Sequence, residues 1–523
     1  MSLFRATFTV GGLTALSRIM GFIRDVLMAR IVGAGMIADC FVLAFKLPNF
    51  FRRLFAEGAF SAAFVPMFAS MVEGEGLPPD ATAEQKKAAA VRFAEEALAA
   101  LFASLLLFVS LCQIFMPAVM TVLGAGFVDN AEKFDLAVAL TRITFPYLLF
   151  ISLVSLLGGI LNALHRFAAV AFTPILLNLF MVGSLLFFSR AGQTPAHALA
   201  WGVSLSGVAQ FGWLYVACRR EGVRLRLRLP RLTPQVKKLL LVMMPVALGA
   251  GAFQVNLLMD TFLAGFLADG SLAFLYYADR LNQLPLGVIG IAVGTALLPM
   301  LSRQVAAGND DAALHSQNRA IEMALFLTLP AAVALVVVPE ILVKVLFEGR
   351  AFTPEMTDAT AAALRAFALG LPAYVLAKVL SPGYFARKDT KTPVRYAMAS
   401  LVVNLALNVA LMFPLKHVGL ALATATAAWV NAGLLFWGLR GRGYFAADAR
   451  LMSRLPRILA ASVFMGIVVH LAARLFAPAF AERTELAFMA LAALVVGGVL
   501  AYGVSAILVG AVNRADLAAI RRP

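Results

Sequence analysis

Apolar runs of about twenty residues alternate with short polar segments along almost the whole chain. A run of that length crosses a bilayer as a helix. The pattern predicts about fourteen spans, near 4–30, 37–70, 91–120, 136–163, 169–190, 198–218, 239–268, 272–302, 318–345, 358–386, 394–414, 419–439, 455–476 and 486–511. Several exceed a simple crossing, so tilt, kinks or cytoplasmic extensions are expected. The longest polar stretches, 73–90 and 219–238, leave no room for a soluble domain of any size. The first apolar stretch runs on to Arg30 without a small-residue cleavage site, so it is expected to stay as an anchor.

Composition agrees with the pattern. The chain is 62% hydrophobic and 14% charged, with a mean hydropathy of +0.87. A soluble domain is nearer half apolar and a quarter charged. The net charge of +16 raises nucleic acid as a partner, and its distribution argues against that. With the N-terminus placed in the cytoplasm, cytoplasmic loops and ends collect 27 of the 44 Lys and Arg, and the opposite side eight. That asymmetry is the positive-inside signal, so the basicity reflects topology. An even number of spans returns the C-terminus to the cytoplasm. Cys40, Cys112 and Cys218 are scattered, and neither they nor the five histidines show disulfide or metal spacing.

The chain also echoes itself. FSAAFVPMFAS at 60–70 resembles VGTALLPMLSR at 293–303. FPYLL followed by LNALHRF resembles LPAYV followed by GYFARKD. The predicted fold class is therefore all-α and polytopic. It has two six-helix lobes related by a parallel pseudo-twofold, plus two C-terminal helices. The expected divisions are 1–220, a basic amphipathic cytoplasmic linker at 221–238 (RLRLRLPRL), 239–440, and 441–523. Transporters use paired repeats to place substrate between lobes and rock one against the other.

Charges inside the spans point to chemistry. A charge at mid-bilayer costs at least roughly 2.5–3.5 kcal/mol, so buried arginines call for a compensating role. In LSRIMGFIRDVL, Ser17 and Arg24 share one helix face, and Arg18 and Asp25 its neighbour. A structural Arg24–Asp25 ion pair with Arg18 snorkelling is the alternative to a substrate site. In KLPNFFRRLFAEGAF, Lys46, Arg53 and Glu57 fall on one face with Asp39 two turns back, and Arg52 points elsewhere. Pro48 distorts that wheel. Pairing of Lys46 or Arg53 with Asp39 or Glu57 would leave Arg52 available. Arg280 follows Asp279 and precedes Asn282 and Gln283. A packed Asp279–Arg280 pair is the alternative there. Guanidinium is always charged and grips phosphate through two parallel hydrogen bonds, so converging arginines suit a diphosphate. No Walker motif occurs, so uphill transport would draw on an ion gradient or the membrane potential. A second polar cluster, Asp260 with Asn404, Asn408 and Thr424, has the oxygen donors for a sodium ion. The alternative is hydrogen bonding between helices.

The strings LSRIMGFIRD, GMIADCFVLAFKLPNFFRRLFAEGAFSAAFVPMF, YYADRLNQLPLGVIGIAVGTALLPMLS and SPGYFARKDTKTPV closely resemble the lipid II flippase family, MurJ or MviN, over nearly the whole chain. The resemblance implies fourteen helices of the multidrug/oligosaccharidyl-lipid/polysaccharide exporter type. It implies movement of the undecaprenyl-diphosphate-linked peptidoglycan precursor across a bacterial inner membrane, without an enzymatic step. It places the functionally required arginines on Arg18, Arg24, Arg52 and Arg280, and Asp39 and Glu57 match further positions that the family needs. The residue pattern adds Ser17, Asp25 and Arg53 as candidates for substrate binding, and Lys46 and Asp279 join Asp39 and Glu57 as candidates for gating or structural roles. The last two helices would line a groove for the polyprenyl tail. Expected partners are lipid II, membrane lipids and other cell-wall synthesis proteins, with sodium as the one candidate cofactor. The runner-up is an exporter of another polyprenyl-linked saccharide in the same superfamily. A membrane glycosyltransferase is disfavoured because the predicted outer loops are too short to carry a catalytic platform.

Overall fold

The computed structural model describes residues 3–53, 60–187, 194–481 and 485–512, with backbone alone for 3–7, 246–257, 288–296 and 481. Helices account for the ordered structure, and no strand occurs among the described residues. The cause is the length of the apolar runs. In hydrocarbon the backbone must satisfy its own hydrogen bonds, and a helix does so within one segment.

The first half comprises α1 (Leu3–Val32), α2 (Met36–Phe51), α3 (Ser61–Glu73), α4 (Ala83–Ile114), α5 (Met116–Leu123), α6 (Ala131–Thr144), α7 (Tyr147–Ala163), α8 (Phe167–Phe187), α9 (Pro195–Arg220) and α10 (Pro234–Gly265). The second comprises α11 (Ser271–Ala306), α12 (Asp310–Val337), α13 (Pro339–Phe347), α14 (Pro354–Phe385), α15 (Lys391–Gly441), α16 (Ala449–Leu475), α17 (Ala477–Ala481) and α18 (Glu485–Leu508). α15 is two helices joined at a kink, where Lys416 has φ 51°. Within the described residues every predicted span falls on one of these helices or on an adjoining pair such as α2–α3 and α6–α7; residues 54–59 and 188–190 of two spans lie outside them. Seven of these helices, and the α6–α7 pair taken as one, are long and apolar enough among the described residues to cross a bilayer. The others are shorter or less apolar, or include residues whose side chains are not described.

Local signals set the boundaries. Thr82 opens α4 through a reciprocal capping box with Gln85, which satisfies two otherwise orphaned backbone donors. Asn130, Thr233, Asn309, Thr353 and Asp448 cap their helices with a side-chain oxygen. Pro48 sits inside α2, and the helix widens into a π-type turn at Arg52 and Arg53. Such turns change which way successive side chains face.

The packing divides into two compact units, Met1–Leu272 and Ala273–Pro523. The division lies after α10, not in the basic linker before it. α10 packs on α3, α4 and the turn at Ala125–Phe127. A Cβ on Gly126 would lie 2.2 Å from the Gly265 carbonyl carbon, so only glycine permits that approach. The linker at 223–233 is extended and is held to α4. Glu95 accepts hydrogen bonds from the Arg226 backbone N–H at 2.9 Å and from Arg228 Nε at 2.5 Å. Thr233 donates to Glu96 at 2.8 Å.

In the first unit α1 packs on α8, α8 on α9, α7 on α9 and α2 on α6. In the second, α14 packs on α12 and α15, and α16 packs on α12 and α18. The C-terminal helices therefore belong to the second unit through a shared core that includes Ile458, Ala461, Leu494 and Ala506. Glu322 on α12 anchors this junction on its polar side, receiving Arg454 at 2.5 Å and also Arg319 and Arg450. Outward positions such as Leu107, Leu475 and Val499 are exposed apolar side chains, as a surface solvated by lipid requires.

Candidate functional site

Arg24 lies deep in the first unit, only 6% exposed, beside Asp25 at 3%. Its Nε and Nη2 donate to Asp25 Oδ1 at 3.1 and 2.7 Å, and Nη1 donates to Asn178 Oδ1 at 2.9 Å. The guanidinium also stands 5.8 Å from the Phe45 ring centroid. Asn178, on α8, donates in turn to the Ser17 carbonyl at 3.0 Å. Ser17, Arg24, Asp25 and Asn178 thus form one network between α1 and α8. A Cβ at Gly21 would make only an ordinary van der Waals contact with the Asn178 amide, at 3.5 Å. The Arg24–Asp25 ion pair weighed from the sequence is present. Arg18 is exposed on the same helix.

Arg52 and Arg53 diverge at the π-type turn. Arg53 is exposed. Arg52 lines a cavity of about 360 Å³ walled by α3, α7, α8 and α9. Lys46 donates to Thr261 Oγ1 on α10 at 3.1 Å. Glu57 lies outside the described residues.

Asp39 has partners that no local spacing announced. Its Oδ2 lies 3.4 Å from Lys133 Nζ and accepts the Gly270 backbone N–H at 2.8 Å. Lys133 also reaches Asp269 at 2.8 Å and lies over the Phe127 ring at 4.1 Å. Lys133 is almost fully buried. It and Asn178 were missed for the same reason: each meets its partner across a long stretch of chain. The buried position of a lysine in AEKFDLAV was the only available hint, and a weak one.

In the second unit, Arg280 stacks on Tyr276, with its guanidinium carbon 4.8 Å from the ring centroid. Asp279 accepts a hydrogen bond from Gln283 one turn on. Asn282 is buried and its Oδ1 has no hydrogen-bond partner among the described residues. Asn404 donates to Thr424 Oγ1 at 3.3 Å, and Asn408 donates to Asn404 Oδ1 at 3.2 Å. Both asparagines are buried. Three of the four oxygen-bearing residues expected at a cation site are therefore neighbours. The fourth, Asp260, belongs to the first unit. Neutral amide and hydroxyl oxygens fit a hard cation in kind.

Comparison with known proteins follows the same lines. The family described as lipid II flippase MurJ matches residues 28–491. A probable lipid II flippase MurJ of Rhizobium tropici is 45% identical over 479 residues, covering 91% of this chain and 88% of its own. The lipid II flippase MurJ of Burkholderia cenocepacia is 34% identical, with 90% of each chain covered. A solved structure of lipid II flippase MurJ in an inward closed conformation superposes with a TM-score of 0.78 at 25% identity, over 95% of this chain and 98% of that one. An inward-facing multidrug resistance MATE family transporter shares the fold at a TM-score of 0.64 and 16% identity, over 83% of this chain and 97% of its own. With its spans, its arginine-bearing helices and these relatives in agreement, the chain belongs to the lipid II flippase MurJ family.

Proposed function

We propose that the chain carries lipid II, the undecaprenyl-diphosphate-linked peptidoglycan precursor, from the cytoplasmic to the periplasmic leaflet of a bacterial inner membrane by alternating access. The observation that carries this is 45% identity over 91% of the chain to a probable lipid II flippase. The N- and C-termini lie in the cytoplasm, on the side favoured by the excess of Lys and Arg.

The chemistry is that of binding. A diphosphate brings negative charge that must be matched once it leaves water. Arg24 is the first unit's candidate to hold it, with Arg18 and Arg52 assisting, and Arg280 is the second unit's candidate. In the conformation seen here Arg24 is already neutralised by Asp25. Substrate phosphate therefore replaces Asp25 on the guanidinium, and the displaced carboxylate restores the pair when the lipid leaves. Exchange of one anion for another keeps the buried charge matched throughout, which a free arginine would not. Asp39, Lys46, Glu57 and Asp279 act in gating. A sodium ion would be held in the second unit by Asn404, Asn408 and Thr424, with Asp260 of the first unit as a separate candidate carboxylate, and its gradient or the membrane potential would supply the driving force.

The test is translocation of labelled lipid II by purified protein in liposomes. Transfer between leaflets well above protein-free liposomes is expected, and equal rates would refute the proposal. Precursor accumulating in the cytoplasmic leaflet on depletion in cells is the matching result in vivo.

A further inference from the structure

The cavity beside Arg52 contains polar groups that diphosphate binding does not use. It lies wholly inside the first unit, and its volume of about 360 Å³ is near the lower end of small-molecule sites, roughly 300–1,000 Å³. That is room for one ring-sized group and not for a whole head group. Gln210, on α9, lines it while only 1% exposed. Its one hydrogen bond among the described residues runs from Nε2 to Ser206 Oγ at a long 3.5 Å, so its carbonyl oxygen is unmatched there. Asn162, at the end of α7, lines the same space, and its side-chain amide has no hydrogen bond to the described residues. Ser155 and Thr173 add hydroxyls that donate to their own helices and still accept.

The buried Gln210 carbonyl oxygen costs free energy unless water or a ligand completes it, and the partly buried Asn162 amide faces the same space. Among the described residues the lining includes one guanidinium and no carboxylate, and one positive charge is thin for a diphosphate. Two amides, each both donor and acceptor, facing apolar walls such as Val65 and Leu177 match a group with polar edges and apolar faces. We infer that this cavity receives an acetamido-sugar ring of the transported head group. Asn162 and Gln210 pair with its hydroxyl and acetamido groups, and Arg52 faces its anionic substituent. The assignment rests on the proposed transport of lipid II and names the residues that read the saccharide.

The test compares two probes on purified protein, lipid II and undecaprenyl diphosphate without sugar. Asn162→Leu and Gln210→Leu, made separately, keep volume and remove hydrogen bonding. Each is expected to reduce the preference for lipid II over undecaprenyl diphosphate by about tenfold, equivalent to roughly 1.4 kcal/mol. Asn162→Gln, which retains the amide, recovers part of the preference. An unchanged preference in both leucine variants overturns the assignment and leaves transport standing. Failure of the unmutated protein to bind lipid II overturns both. Because the readout is a ratio within one preparation, partial loss of folded protein does not imitate the expected result.

Discussion

Replacing Arg24 and Asp25 singly and together separates a structural ion pair from a substrate-binding arginine. Arg24→Leu leaves the Asp25 carboxylate 3% exposed and without the guanidinium that lies 2.7 Å away. Breaking a buried pair by removing one partner costs about 3–5 kcal/mol, because an unmatched charge stays behind. Asp25→Leu strands the guanidinium in the same way, though Asn178 still accepts from Nη1, so its cost falls at the lower end. Replacing both with leucine removes both charges, and such double replacements are neutral or stabilising by about 1–4 kcal/mol. The double variant should therefore unfold in detergent no more easily than the unmutated protein, while both single variants unfold far more easily. Flipping measured on the same preparations in liposomes gives the functional half. The double variant, stable and without the guanidinium, is expected to lose transport. If it flips lipid II at the unmutated rate, Arg24 does not hold the diphosphate and its role is structural. If neither single variant is destabilised, the buried pair is wrong.

Other consequences can be checked with similar means. Arg280→Lys keeps the charge but loses the planar fork and much of the stacking on Tyr276; lipid II binding should weaken about tenfold or more, and unchanged affinity would remove Arg280 from the site. Lys133→Met leaves Asp39 with the Gly270 N–H but without its cation and should cost about 3 kcal/mol in denaturant unfolding, partly restored by Asp39→Asn in the same chain. In the loop after α14, Thr392 and Arg442 hydrogen-bond the Asp389 carboxylate and hold it below the usual aspartate range. A depressed folded value means that the stabilisation is complete above the ordinary aspartate pKa and fades only as pH falls through the lower folded value. Asp389→Asn should therefore lower Tm at pH 7, with the gap to the unmutated protein closing only in strong acid; a gap that closes near pH 6 would contradict this.

The fold was largely legible because its governing rule is local. Each span is one apolar run, and a segment that must satisfy its own backbone in lipid declares itself by length. Charges inside those runs were legible for the same reason, since their cost demands an explanation at each position. Helical spacing put Ser17 and Arg24 on one face and left the Arg24–Asp25 pair as an alternative; the pair is present, and Ser17 joins it through its carbonyl and Asn178.

What spacing could not supply was any partner brought from a distant part of the chain. Asn178 reaches Arg24 from α8, and Lys133 reaches Asp39 from α6. These contacts depend on how helices pack, and ordinary polar residues carry no mark of their eventual neighbours. Helical spacing alone faces Arg52 and Arg53 different ways; it does not give the π-type turn on which they sit, since Pro48 makes that turn plausible but does not specify it. Packing also drew the division between compact units after α10 rather than in the basic linker, because Gly126 and Gly265 let that helix settle against the first unit. Sequence determined which segments enter the membrane and which charges enter with them. Tertiary structure decided which of those charges meet, because burial and pairing are properties of helix faces in contact.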